Sequence, residues 1–292
     1  MDIIEVFKKY PTQDDCIKYL EQVRWQDKPI CPYCGSKSQT SIENGLRHHC
    51  NTCNTSYSVT VGTIFHDSRL PLQKWFLALG LILNAKKGVS SRQLSRDLKV
   101  NKNTAWYLGM RIRKAMTQTD QRQLLIGVVE MDETYVGGKP RKGDNNGEPR
   151  KRGRGTKKTP VVGMIERGGK VRAQVVKNEK LSKKTLESLV RKNVDTENSV
   201  LMTDEYKGYL GIDTFMEHKV IRHQKWYVDG DIYTNSIESF WSLLKRGIVG
   251  QYHKVTVQHL PEYIDEFSYR FNNRNNDDLF AETIQRAVGV IQ

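Results

Sequence analysis

The chain of 292 residues carries only 33 Asp and Glu against 47 Lys and Arg, and it has no long apolar run. The longest uncharged apolar stretch, Trp75 to Leu83, is nine residues and follows Lys74 directly. A bilayer helix needs about 18–20 such residues, so the sequence predicts no membrane span and no membrane partner. Met1-Asp2-Ile3-Ile4-Glu5 shows no basic region leading into an apolar core, so no signal peptide is expected. These absences predict a soluble intracellular protein. Disorder over most of the chain is excluded by five Trp, thirteen Tyr and eight Phe spread among periodic segments. The length fits about two domains with an ordinary core. The shortage of acids leaves a formal charge of +14 and points to an anionic partner.

Half of that excess sits in one segment. Residues 139–158 hold nine Lys or Arg and two acids, a net +7, with Pro140, Gly143, Gly147, Pro149, Gly153 and Gly155 among them. Such composition predicts a loop. It is either a solvated insertion or a phosphate-binding arm in which Arg150, Lys151, Arg152 and Arg154 displace counterions from nucleic acid.

The cysteines number five. Four form Cys31-Pro-Tyr-Cys34 and Cys50-Asn-Thr-Cys53, separated by 15 residues, the spacing of a structural zinc ribbon with one Zn²⁺ per chain. Two disulfides would need an oxidising compartment, and a redox pair needs only one Cys-x-x-Cys. His48 and His49 stand beside Cys50 and could replace a ligand, but four thiolates leave them no necessary part. Cys16, at helical spacing from Leu20 and Val23, reads as core.

Two short helices are predicted in residues 2–25, broken near Pro11 and recapped by Thr12. Residues 28–66 read as the ribbon, with an alternating strand over Ser56–Val61. A buried helix runs from Leu72 to Ala85, beginning after Pro71. A helix-turn-helix pattern follows Gly88. Its first helix is capped by Ser90 or Ser91, its second spans Thr104 to Met116, and its core is Leu94, Leu98, Val100, Ala105, Leu108 and Ile112. Many helical hairpins share that spacing; in a basic protein it leaves Arg92, Lys102, Asn103, Arg111 and Arg113 for DNA. Beyond Leu124 the period shifts. A strand over Leu125–Asp132, a hairpin at Gly168-Gly169, a helix after Ser182, strands at Ser199–Thr203 and Lys219–Ile221, and a helix from Asn235 predict a mixed α/β domain.

Asp132 and Asp204 each end an apolar strand and each precede a Glu. Strands alternate faces, so only one acid of each pair can enter a given site. Taken singly, such acids are ordinary turn residues. With Glu238 they come from three separate elements and could hold two hard divalent cations.

Taken in order, Cys31–Cys53, Val61-Gly62-Thr63-Ile64-Phe65, Met131-Asp132-Glu133-Thr134-Tyr135-Val136-Gly137-Gly138, Thr203-Asp204-Glu205, Thr234-Asn235-Ser236-Ile237-Glu238 and Leu244-Lys245-Arg246-Gly247 form a pattern. It resembles the bacterial insertion-sequence DDE transposases with an N-terminal zinc ribbon, relatives of the eukaryotic Merlin elements. The resemblance implies a ribonuclease-H-like, retroviral-integrase-like catalytic domain. It also implies Mg²⁺- or Mn²⁺-dependent cutting of element ends, followed by in-line attack of the freed 3′-hydroxyl on target DNA. Asp132, Asp204 and Glu238 become the catalytic acids for two cations, with 33 residues between the last two. Some members of the group use Asn as the third residue, which keeps Asn235 in view. The face shared by Asn235, Glu238 and Lys245 gives Asn235 a positioning role and Lys245 a phosphate contact. The expected partners are terminal inverted repeats and target DNA, bound by a homodimer or higher homo-oligomer at the cytoplasmic nucleoid.

The expected layout is N-terminal helices 1–27, zinc ribbon 28–66, helix-turn-helix region 67–120, catalytic domain 121–280 with its basic loop, and tail 281–292. A non-catalytic DNA-binding regulator, a domesticated transposase and a structure-selective nuclease of the same fold are the competing readings.

Overall fold

A computed structural model describes residues 1–26, 28–42, 45–117, 123–137, 158–176, 181–221 and 233–289. They fall into two compact units, one built from 1–117 together with 275–292 and the other from 118–274. Among the described residues no helix is long and apolar enough to cross a membrane.

In the first unit, helices α1 (Ile3–Lys9) and α2 (Gln13–Trp25) each begin with a capping box, at Asp2 with Glu5 and at Thr12 with Asp15. The ribbon is a three-stranded antiparallel sheet of β1 (Gln39–Ile42), β2 (Arg47–Cys50) and β3 (Thr55–Tyr57). The strand expected to reach Val61 stops at Tyr57. Beyond it, Arg24 Nη1 takes the carbonyls of Val59 (2.6 Å) and Val61 (2.7 Å), so these cannot serve a ladder. Helix α3 (Leu72–Asn84) is buried along Trp75, Phe76, Leu79 and Ile82, as its apolar run predicts. Helices α4 (Ser91–Leu98) and α5 (Lys102–Ala115) form the predicted hairpin. Asn101 caps α5 through the Asn103 amide, so it starts two residues before Thr104. All the expected core residues of the hairpin are buried except Val100, which is half-buried.

The expected tail is largely helix. Helix α9 (Leu279–Gly289) buries Phe280, Thr283, Ile284, Ala287 and Val288, a helical stripe that belongs to the first unit. Phe280 stacks on Tyr10 at 6.1 Å, and the Ile64 amide donates to Ala287 O at 3.2 Å.

The second unit is a five-stranded sheet flanked by helices. Its strands are β4 (Leu125–Val136), β5 (Thr159–Glu166), β6 (Val171–Val175), β7 (Val194–Thr203) and β8 (Glu217–Val220). The spatial order is β6-β5-β4-β7-β8; β4, β5 and β6 run antiparallel, while β7 and β8 run parallel to β4. The first three strands form a meander and the last two are added in parallel on the other edge of β4, the ribonuclease-H-like arrangement that the resemblance implied. Helix α6 (Lys183–Asn193), capped by Ser182, covers one face through Leu186 and Val190, meeting Val129, Met131, Val162 and Met164. Helices α7 (Asn235–Gly247) and α8 (Leu260–Asn272) cover the other, meeting Val136, Val161 and Ile165. Alternate residues of β4 therefore face opposite layers, and the even-numbered ones face α7.

Candidate active site

The four cysteine Sγ atoms lie within 4.8 Å of one another, the one such convergence of metal-capable side chains among the described residues. Cys31 and Cys53 sulfurs are 3.7 Å apart, and those of Cys34 and Cys50 are 3.5 Å apart. Tetrahedral ligation at about 2.3 Å puts sulfurs about 3.8 Å apart, whereas a disulfide needs about 2.05 Å. The donor set fits structural zinc. His48 is no ligand: buried against Trp25 and Tyr57, its Nε2 meets Glu21 Oε1 at 2.8 Å and its Nδ1 meets Gln39 Oε1 at 3.1 Å. It ties β2 to α2.

Among the residues assigned to DNA, Arg92, Lys102 and Asn103 are exposed on the helical hairpin. Arg113 is not available. It is 2 % exposed and lies along Gly109, where the missing side chain leaves room for its guanidinium. Arg111 is committed to the ribbon's exit, donating to Thr63 O at 3.0 Å and His66 O at 2.7 Å while lying over the Tyr107 ring. The Arg113 assignment is corrected, because its guanidinium is buried, while Arg111 is half-buried and holds the ribbon's exit. Residues 139–157, with Arg150, Lys151, Arg152 and Arg154, lie outside the described residues.

In the second unit, pleating places Asp132 on the α7 face of β4 and Glu133 on the opposite face. There the Tyr209 hydroxyl donates to Glu133 Oε2 at 2.7 Å. Asp204 follows β7 half-buried, and its Oδ1 accepts the Tyr206 amide at 3.0 Å. Glu238 and Asn235 are exposed in the first turn of α7, and Lys245 is exposed in its last turn. Thr234 Oγ1 donates to Glu238 Oε1 at 3.3 Å. The carboxylates form no group as tight as the thiols, yet they share a field. Burial, with Glu133, Asp204 and Glu238 nearby, pushes the Asp132 carboxyl up to about 7. Oxygen donors on three elements, one of them destabilised by its like-charged neighbours, suit hard divalent cations.

Three contributors escaped the sequence reading. The Trp241 indole N–H donates to Asp132 Oδ2 at 3.1 Å. Glu130, one pleat before Asp132, is fully buried against the start of α7, and Arg167 pairs with it at 2.8 Å. The signal for Glu130 was present: an acid inside a run of Val128, Val129 and Met131, two residues from Asp132.

The strand expected to end at Asp132 runs on to Val136, held by its pairing with β5. A four-thiol ribbon and a ribonuclease-H-like sheet that carries Asp132 within its first strand and Asp204 just after its fourth are the layout of a zinc-ribbon transposase. Residues 124–272 match the ISXO2-like transposase domain and residues 11–56 the transposase zinc-ribbon domain. The chain belongs to the ISXO2-like transposase family. It is 29 % identical over 280 residues to an uncharacterized protein in transposable element ISH50 of Halobacterium salinarum, covering 90 % of this chain and 92 % of that protein. Among solved structures, the Mos1 strand transfer complex is similar at 13 % identity and a TM-score of 0.32, covering 73 % of this chain and 74 % of that one. A Mos1 paired-end complex with the left transposon end is similar at 13 % identity and a TM-score of 0.31, covering 72 % and 74 %. Likeness at that level adds nothing to the geometry above.

Proposed function

We propose that this transposase cuts the ends of an insertion sequence and joins the freed 3′-hydroxyl to target DNA. In this reading Asp132, Asp204 and Glu238 hold two Mg²⁺ or Mn²⁺ ions. When bound, the cations would supply the Lewis acidity that activates the attacking hydroxyl and neutralises the leaving oxygen. The observation that carries the reading is the position of Asp132: on the α7 face of β4, bonded by Trp241, with Asp204 and Glu238 near enough to help raise its carboxyl to about 7. Trp241 orients the Asp132 carboxylate. Asn235 positions DNA at the first turn of α7, and Lys245 contacts a phosphate from its last turn. Arg92, Lys102 and Asn103 read the terminal repeats, while Arg150, Lys151, Arg152 and Arg154 add contacts to the DNA backbone. A homodimer or higher oligomer brings two ends together.

The test is a pair of substitutions on one helix. Glu238→Gln abolishes end cleavage and joining but leaves end binding and folding intact, and Asn235→Ala retains both reactions. Strand transfer kept by Glu238→Gln and lost by Asn235→Ala makes Asn235 the third residue instead. Cleavage without joining in the wild type identifies a nuclease, and binding without either reaction a regulator.

A further inference from the structure

The helix that carries Glu238 has an unusual start. Thr234 occupies its N-cap without any side-chain cap bond. The first-turn amides nevertheless have an acceptor, and it comes from the sheet. Glu130 Oε2 accepts the backbone N–H groups of Ser236 at 2.8 Å and Ile237 at 3.1 Å. Its Oε1 accepts the Ser236 hydroxyl at 3.0 Å and Arg167 Nε at 2.8 Å. The carboxylate is 0 % exposed, so its charge depends on these donors. Arg167 is fixed in turn. Its Nη2 donates to Tyr233 O at 2.9 Å, its guanidinium lies 3.5 Å over the Tyr233 ring, and its backbone N–H donates to Val128 O at 2.9 Å.

These bonds give α7 two points of registration on β4, one pleat apart. Residue 130 grips the amides of 236 and 237, immediately before Glu238, and residue 132 accepts the Trp241 indole. A carboxylate aimed at the positive end of a helix is favourable by itself. Here it also sets where Glu238 can stand relative to Asp132.

We propose that Glu130 and Arg167 are positioning residues, an anchor built into β4 that fixes the Asp132–Glu238 spacing needed for paired divalent cations. The inference rests on the metal reading of the preceding section for its purpose, but its structural core does not. Glu130 and Arg167 touch neither substrate nor reacting atoms; they act through the first turn of α7.

The experiment uses the full chain with Glu130→Leu and Arg167→Met combined, which removes the two paired charges together rather than leaving one of them buried without its partner. Two quantities are read: amide hydrogen exchange across 233–247, and binding of Mn²⁺ alone followed by the electron paramagnetic resonance of the free ion. Protection should fall by roughly tenfold at Ser236 and Ile237 and persist beyond Trp241. Mn²⁺ affinity should fall by about tenfold or more, as for other partners that orient metal ligands. Glu130→Gln, which keeps a carbonyl acceptor, should recover much of both; if the double variant does not fold, Arg167→Gln alone, which takes away one of the four donors to Glu130, is read for the same two losses in smaller measure. Exchange that rises evenly along α7, or protection lost with Mn²⁺ affinity intact, overturns the inference. Asp132→Asn separates the two readings. If it also leaves Mn²⁺ affinity unchanged, the metal reading has failed, and the anchor then stands or falls on local exchange alone.

Discussion

Trp241 and Asp132 meet at 3.1 Å, the indole N–H of α7 donating to a carboxylate of β4 whose burial holds its proton up to about pH 7. An acid with a folded value above its unfolded one weakens the fold as pH rises. Here the loss begins near the ordinary value of 3.8 and is complete above about 7. Asp132→Asn removes that penalty, which at pH 8 is at most of the order of 4 kcal/mol. In metal-free protein the variant's melting temperature should exceed the wild type's by more at pH 8 than at pH 5. A gap that is the same at both would show that Asp132 titrates as an ordinary surface acid. Added Mn²⁺ should stabilise the wild type and not Asp132→Asn.

Gly163 lies opposite Asp132 in the β4–β5 register. A Cβ there would meet the Trp241 ring at 2.6 Å and Ile237 Cδ1 at 3.0 Å. Gly163→Ala should cost about 1–3 kcal/mol in urea unfolding. By pushing Trp241 off Asp132 it should also move the indole N–H resonance. A neutral substitution with an unmoved indole signal would show that the layer yields freely.

The ribbon should hold one zinc per chain, measurable by atomic absorption. Cys34→Ser should lose it, together with the fold of residues 28–66, because a ribbon this small has little core beyond its metal. A metal-free protein with four reduced thiols and unchanged amide exchange in β1–β3 would exclude the structural role.

The two kinds of basic residue in the helical hairpin should separate cleanly. Arg92→Ala and Lys102→Ala should weaken binding to element ends and leave the melting temperature within about 0.5 kcal/mol of wild type in free-energy terms. Arg113→Ala should act on stability instead, since the guanidinium is buried. Neutralising Arg150, Lys151, Arg152 and Arg154 together should flatten the slope of log affinity against log salt by up to about four. Terminal and random DNA should lose affinity about equally. Lost discrimination with intact random binding would reverse the assignment.

Much of this was legible because period and spacing report directly on geometry. The two Cys-x-x-Cys pairs, a strand beginning at Leu125, and the alternation that sends Glu133 to Tyr209 all follow from local rules, whereas the strand's run past Asp132 to Val136 comes from its pairing with β5. What was hidden depends on partners far along the chain. Arg113 has the composition of a DNA contact, and only the empty side of Gly109 makes room to bury it. Arg111 is drawn away by carbonyls some 45 residues earlier. Glu130 acquires its task from amides 106 and 107 residues later. Helix α9 is different. Its stripe of Phe280, Thr283, Ile284, Ala287 and Val288 was readable, but nothing local says which core it joins.

That last attachment has a temporal consequence. Helix α9 packs with residues from the beginning of the sequence, so the ribbon-bearing unit is discontinuous, with the whole second unit inserted into it. A ribosome makes residues 118–274 before it reaches the segment that pairs Ala287 with Ile64 and Phe280 with Tyr10. At about 5–20 residues per second the first unit waits some 8–30 seconds for its final helix. A nascent or truncated chain thus carries the five-stranded sheet before it carries a finished ribbon-bearing unit, and a premature stop before α9 releases a protein that never completes it.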